Sequence, residues 1–212
     1  MASKEKKAAK KAALAAAARK KECTRIYIIA AAVILLAVVI ALLVRPAKTA
    51  YADIEIRDYG KVTFRLETEK APITTKNFID LAKSGFYNGL TFHRIIEGFV
   101  MQGGDPNADG TGGSDKQIVG EFKTNGHDTG LSHTRGAVSM ARSGDPNSAS
   151  SQFFIVHQDS LSLDGDYAVF GYVTEGMDVV DRICTEVKPA DNNGNVPFEQ
   201  QPVISSITIR YE

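Results

Sequence analysis

The chain has 212 residues, enough for one domain of ordinary size and an appendage, and its two cysteines exclude a disulfide-built scaffold. Its 25 basic and 25 acidic residues hide two unlike parts. Residues 1–25 hold nine basic and two acidic side chains, so the remainder has sixteen basic against twenty-three acidic, a net charge of −7 that disfavours a nucleic-acid partner.

The leader, 1–25, mixes lysine and alanine from Lys4 to Lys21. It is read as a disordered topology determinant, with a basic helix on an anionic membrane leaflet as the alternative, since both residue types favour helix. Residues 26–44 are uncharged and apolar from Ile26 to Val44. As a helix rising about 1.5 Å per residue they approach the roughly 30 Å hydrocarbon core, so a single transmembrane helix is expected. Only Arg45 and Lys48 follow closely, and the positive-inside rule places the N-terminus in the cytoplasm and the rest outside the cell membrane. Residues 45–52 form a linker. Ala50-Tyr51-Ala52 fits the small-x-small rule for cleavage before Asp53, but the apolar run exceeds the roughly 7–15 residues of a cleavable signal. An uncleaved signal anchor is expected, with release before Asp53 as the alternative. Cys23 at the cytoplasmic edge and Cys184 beyond the span cannot pair within one chain.

The domain, 53–212, begins with alternating apolar residues in 53–57 and 61–67 around Asp58-Tyr59-Gly60, the pattern of a hairpin with one buried face. Pro72 opens a helix to Ser84, on which Ile73, Asn77, Phe78, Leu81 and Ala82 recur at helical spacing before Gly85. Strands are expected at 91–96, 99–102, 137–141, 153–157, 167–173 and 203–211, and a second helix at 177–184. The stretch 103–136, rich in Gly, Asp, Asn and Thr, reads as ordered loop. Pattern alone supports a small barrel or sandwich with two helices.

The segment Phe92 to Gly113, FHRIIEGFVMQGGDPNADGTGG, sets one arginine beside apolar residues. Alternation would place Phe92, Arg94 and Ile96 on one face. An inward arginine costs several kcal/mol unless paired, so it implies a partner or a ligand; the solvated face is the other reading, and these residues leave both open.

This segment resembles the signature of the cyclophilins, which are peptidyl-prolyl cis-trans isomerases. The resemblance continues in the same order and spacing through Ser139-Met140-Ala141-Arg142, Asp145-Pro146-Asn147-Ser148, Ser151-Gln152-Phe153-Phe154-Ile155, Leu163-Asp164-Gly165, Val169-Phe170-Gly171 and Glu175-Gly176-Met177-Asp178-Val179-Val180. It covers roughly residues 53–211. It implies a mainly β fold, a closed eight-stranded antiparallel barrel capped by two α-helices, here preceded by the transmembrane helix. It implies isomerisation of X-Pro bonds during folding, with no cofactor and no metal, and with the expected anchor the substrates are exported or cell-surface polypeptides. Carried over by position, the catalytic arginine is Arg94 and the glutamine orienting it is Gln102. Phe99, Val100, Phe154 and Leu163 form the proline pocket, Ala141 and Arg142 the edge that pairs with substrate backbone, and Tyr167 stands where other members have histidine or tyrosine.

There are three departures from the family pattern. Val100 replaces a frequent methionine, giving a stiffer pocket wall. Ser162 replaces a frequent tryptophan, so cyclosporin-type ligands are expected to bind weakly. One residue is inserted between Arg142 and Pro146. A second function class, a proline-segment binding or chaperone module with incidental turnover, is disfavoured because a binder needs the pocket more than Arg94 and Gln102. Two other features suggest chemistry less strongly. Asp105-Pro-Asn107-Ala-Asp109-Gly110 opens like a calcium loop, but Lys116 stands where that loop needs glutamate. The four histidines are scattered, and no serine, histidine and acid form a recognisable nucleophile motif.

Overall fold

A computed structural model describes residues 2–43 and 48–212. The chain divides into two compact units, 1–47 and 48–212.

In the first unit a single helix, α1 (Ala2–Leu43), takes in the leader as well as the apolar stretch. The leader expected to be disordered is therefore helical: alanine and lysine lose little side-chain freedom in a helix, and no breaker separates them from the apolar run. The stretch Arg19–Val39, of mean hydropathy 2.1, is long and apolar enough to cross a membrane, and Ile26 to Val39 are exposed. These are the length and apolarity requirements shared by a membrane anchor and a signal sequence. The expected end of the span at Val44, and residues 45–47 of the linker, lie outside the described residues.

The second unit is an eight-stranded antiparallel sheet with two helices. Its strands are β1 (Ala50–Ile56), β2 (Gly60–Leu66), β3 (Arg94–Ile96), β4 (Val100–Gly103), β5 (Ala137–Met140), β6 (Phe153–Val156), β7 (Val169–Glu175) and β8 (Ile204–Tyr211). Their spatial order is β3-β4-β6-β5-β7-β2-β1-β8. The sheet curls but does not close by a ladder, contrary to the closed barrel expected. Its edges meet through the bridge Thr91↔Val203 and backbone bonds such as Phe92 N–H to Pro202 O (2.9 Å), because regular β3 is three residues long and cannot pair along β8. Strand β1 begins at Ala50, earlier than the expected domain start. Ala50 and Ala52 are fully buried; Ala50 pairs with β8, and Ala52 has partners on both β2 and β8.

Strand alternation sorts the sheet into two apolar faces. Inward residues Ile54, Phe64, Met101, Phe153, Ile155 and Phe170 join the main core under α2 (Pro72–Lys83) and α3 (Met177–Glu186). Outward residues Val100, Ala137, Phe154, Val156 and Val169 form a smaller cluster that also gathers Phe99, Leu163 and Tyr167. Phe78 of α2 anchors the main core, with ring centroids 5.2 to 5.5 Å from those of Phe64, Tyr87, Phe153 and Phe170. The helix face matches the expected one at Asn77, Phe78 and Ala82, which are buried, but differs at its start: Ile73 is exposed, while Thr74 and Thr75 are buried. The cause is Glu121, a buried carboxylate that accepts the N–H groups of Ile73 (3.1 Å) and Thr74 (2.7 Å) and the Thr74 hydroxyl (2.7 Å). A carboxylate at this end satisfies donors that the first helical turn leaves unpaired and complements the helix dipole.

Candidate active site

The hairpin of β3 and β4 places Arg94 opposite Gln102, and β6 then places Phe154 beside Gln102 on the same outer face. Of the two readings left open for Arg94 the outward one holds: Ile95 takes the inward position, and Arg94 lies on the outer wall, partly exposed. Phe92 and Arg94 do not share a face in the expected way, because the regular strand starts only at Arg94 and Phe92 belongs to the core.

All nine residues singled out from the sequence, Arg94, Phe99, Val100, Gln102, Ala141, Arg142, Phe154, Leu163 and Tyr167, line one open cavity of about 380 Å³. Phe99, Val100, Phe154 and Leu163 supply its apolar walls. Arg94 stands at its rim, held by two bonds: its Nε donates to the Asn193 carbonyl (2.8 Å) and one terminal nitrogen to Gln102 Oε1 (3.2 Å). Gln102 is itself fixed, because its amide donates to Gln152 Oε1 (2.9 Å) and the Gln152 amide donates to the carbonyls of Gly110 (3.0 Å) and Gly112 (2.7 Å). The guanidinium is thereby tied through two amides to the loop before β5. Arg142 lies over the Tyr167 ring, 4.8 Å from its centroid, and donates to the carbonyls of Asp166 (2.8 Å) and Ser143 (2.9 Å). The Ala141 N–H is taken by the Gln152 carbonyl (3.0 Å).

The cavity contains residues that the sequence reading missed: His93, Asp109, Gly110 and Asn195. His93 is buried, neither ring nitrogen has a partner among the described residues, and burial lowers its pKa against the pull of Asp105 and Asp109. Adjacency to Arg94 is the one signal that could have found it. Asn193 and Asn195 come from a loop without periodicity and gave none. Gln152 was legible, since it shares an outward face with Phe154 two residues on.

Behind Phe154 lies a Ser-His-Asp line that no sequence motif indicated. His133 Nδ1 meets Asp164 Oδ1 at 2.7 Å and Nε2 meets Ser139 Oγ at 3.0 Å, while the imidazole stacks on Phe154 with centroids 6.0 Å apart. His133 and Ser139 are fully buried, so no substrate reaches the hydroxyl, and the line serves as backing for the pocket wall. Burial holds the His133 pKa below the ordinary 6.5 despite its bond to Asp164. At Asp164 burial acts upward, but bonds from Ser132 and His133 outweigh it and leave the carboxyl below its usual value. The other apparent sites also resolve locally. Asp105 accepts the backbone N–H groups of Asn107 (2.8 Å), Asp109 (3.2 Å) and Gly110 (2.6 Å), which organises the loop. Burial pushes the Cys184 thiol up to about 12, making it a poor nucleophile.

A pH dependence of stability follows. Because the folded pKa values of His133 and His93 lie below 6.5, the unfolded chain binds more protons than the folded one as pH falls through 6.5, and stability drops; Asp164 adds a further loss below 3.8. The thermal midpoint should fall between about pH 7.5 and about pH 5.5, and His133→Gln should flatten that slope. An unaltered slope in the variant would contradict the assignment.

Comparison with known proteins shows the family. Residues 51–209 match the family model described as cyclophilin type peptidyl-prolyl cis-trans isomerase. The chain is 46% identical over 139 residues to a peptidyl-prolyl cis-trans isomerase of Helicobacter pylori strain J99, covering 65% of this chain and 82% of that one. It is 48% identical over 131 residues to peptidyl-prolyl cis-trans isomerase B of Bacillus subtilis, covering 62% of this chain and 87% of that one. Among solved structures it resembles a Cryptosporidium parvum cyclophilin type isomerase with a TM-score of 0.69 at 30% identity, over 77% of this chain and 99% of the other. A second crystal structure of that protein, in the presence of the dipeptide Ala-Pro, matches with a TM-score of 0.67 at 30% identity, over 76% and 99% of the two chains. The chain therefore belongs to the cyclophilin family and is a peptidyl-prolyl cis-trans isomerase.

Proposed function

We propose that the isomerisation takes place in the cavity on the outer face of the sheet, with Arg94 as the catalytic group. The observation that carries this reading is the pinned guanidinium at the rim of an apolar pocket. Rotation about an X-Pro bond must overcome a barrier of about 18–20 kcal/mol set by amide resonance, and it needs no covalent step. The prolyl ring is seated among Phe99, Val100, Phe154 and Leu163. As the bond twists, the prolyl nitrogen loses conjugation and its lone pair localises on it, and the guanidinium, which is always protonated, donates to that pair. Gln102 keeps the fork aimed, so the donor needs no reorganisation during the twist. Ala141 and Arg142 border the path of the substrate backbone. The Ala-Pro dipeptide named with the C. parvum structure supports a proline-containing ligand.

The proposed setting is the outer face of a cell membrane, with exported polypeptides as substrates and α1 as an uncleaved anchor. The nine-to-two basic excess ahead of Ile26 supports a cytoplasmic N-terminus. The place of Tyr51 and Ala52 between two strands, with Ala52 fully buried, argues against cleavage before Asp53, which would cut the sheet. Cyclosporin-type macrocycles are expected to bind weakly, since the exposed Ser162 offers no bulky apolar side chain next to Leu163 of the cavity wall. Protease added to intact cells checks the topology: the isomerase domain should be digested while the leader survives, and a protected domain would reverse the orientation.

The chemistry is tested by separating turnover from binding. A hydrogen bond to a charged group contributes roughly 1.5–3 kcal/mol, so Arg94→Ala should lower kcat/KM about 10- to 100-fold in a prolyl-peptide assay. Arg94→Lys should be nearly as poor, because a point charge does not reproduce the fork. Phe154→Ala should act mainly by weakening peptide binding. Turnover by folded Arg94→Ala at the unmodified rate would refute the mechanism.

A further inference from the structure

We propose that His157, outside the cavity, is a positioning residue for its proline-binding wall, holding Phe99 in place through the tip of the β3-β4 hairpin. The inference rests on the reading of Phe99 as a pocket wall.

The hairpin tip, Glu97-Gly98, is exposed, and Gly98 has φ 78°, a left-handed conformation that favours glycine. Phe99 follows directly and is only partly buried, so its place in the cavity depends on what holds the tip. His157 holds it at two points. Its backbone N–H donates to the Phe99 carbonyl (2.8 Å), and its ring Nδ1 accepts the Gly98 N–H (2.8 Å). An amide N–H can only donate, so Nδ1 is the bare nitrogen and Nε2 carries the proton. That proton points to Asp181 Oδ1 of α3 at 3.1 Å. Asp181 also accepts from Arg135 (2.7 Å), whose other terminal nitrogen donates to the His157 carbonyl (2.7 Å). Every polar atom of His157 is thus engaged, and together they connect the hairpin tip, the segment before β5 and α3. His157 is 6% exposed and is not among the residues lining the cavity, and the lining residue that it bonds is Phe99, so its influence on substrate passes through Phe99.

Two substitutions separate the halves of the imidazole. His157→Asn places an oxygen near the position of Nδ1 and retains an acceptor for Gly98, whereas His157→Phe keeps the ring and removes both nitrogens. If the bond to Gly98 positions Phe99, His157→Phe should raise KM for a prolyl peptide about 3- to 10-fold with kcat within about twofold, and His157→Asn should recover most of the loss. A general loss of stability would not produce that split or that rescue. A double-mutant cycle with Phe99→Ala, run on the full-length protein, is decisive. The account predicts that His157→Phe has no further effect on KM once Phe99 is gone. Additive effects, or an unchanged KM in His157→Phe, would overturn the role of His157. A Phe99→Ala protein with unchanged KM would instead overturn the pocket assignment on which it rests.

Discussion

The site depends on one constraint, that a guanidinium beside an apolar pocket must be paired yet keep donors free. Burying it without partners would cost several kcal/mol, and pairing it with a carboxylate would compete with the substrate for its donors. Here the partners of Arg94 are neutral oxygens, the side-chain carbonyl of Gln102 and the backbone carbonyl of Asn193. They fix the plane of the fork without neutralising it. Because Arg94 and Gln102 are direct partners in the β3-β4 ladder, the geometry is set by strand register, and a slip of one residue would turn both to the wrong face.

The same register places the rest of the cavity. In β6 Phe153 and Ile155 enter the main core while Phe154 and Val156 face outward, and in β4 Met101 points in between Val100 and Gln102. A sheet with apolar residues on both faces must cover both. The inner face is covered by α2 and α3, whereas the outer cluster is covered by smaller pieces, among them Leu163, Tyr167 and the Phe99 turn, between which Val100 and Phe154 line a hollow for a ligand. The rear of that hollow is stiffened by His133, whose neutral ring stacks on Phe154 while bonded to Asp164 and Ser139. Rigid walls suit a reaction that proceeds by holding one part of a substrate still while another turns.

Much of this was legible from the amino acids because it follows local periodicity. The β1-β2 hairpin and the two helices of the domain come from alternation and helix start and stop signals, whereas the nine cavity residues come from the family resemblance, carried over by position. What was not legible depends on contacts distant in sequence. Ile73 has an apolar side chain at helical spacing, yet Glu121, 48 residues away, takes the helix N-terminus and turns Thr74 inward. Asn193, 99 residues from Arg94, contributes a backbone carbonyl that no side-chain pattern encodes. Closure of the barrel was inferred by family resemblance, and the short β3 leaves the sheet open. The leader looked disordered by charge, but its alanine content and uninterrupted junction with the apolar run make it helical.

The central claim, that a held guanidinium lowers the rotational barrier, is tested most directly by measuring cis-trans exchange of an enzyme-bound prolyl peptide by NMR in Gln102→Leu. This substitution leaves Arg94 and the apolar walls in place and removes the oxygen that aims the fork. The account predicts an on-enzyme exchange rate about tenfold slower, with the peptide dissociation constant changed by less than about twofold. An exchange rate equal to that of the unmodified enzyme would contradict it.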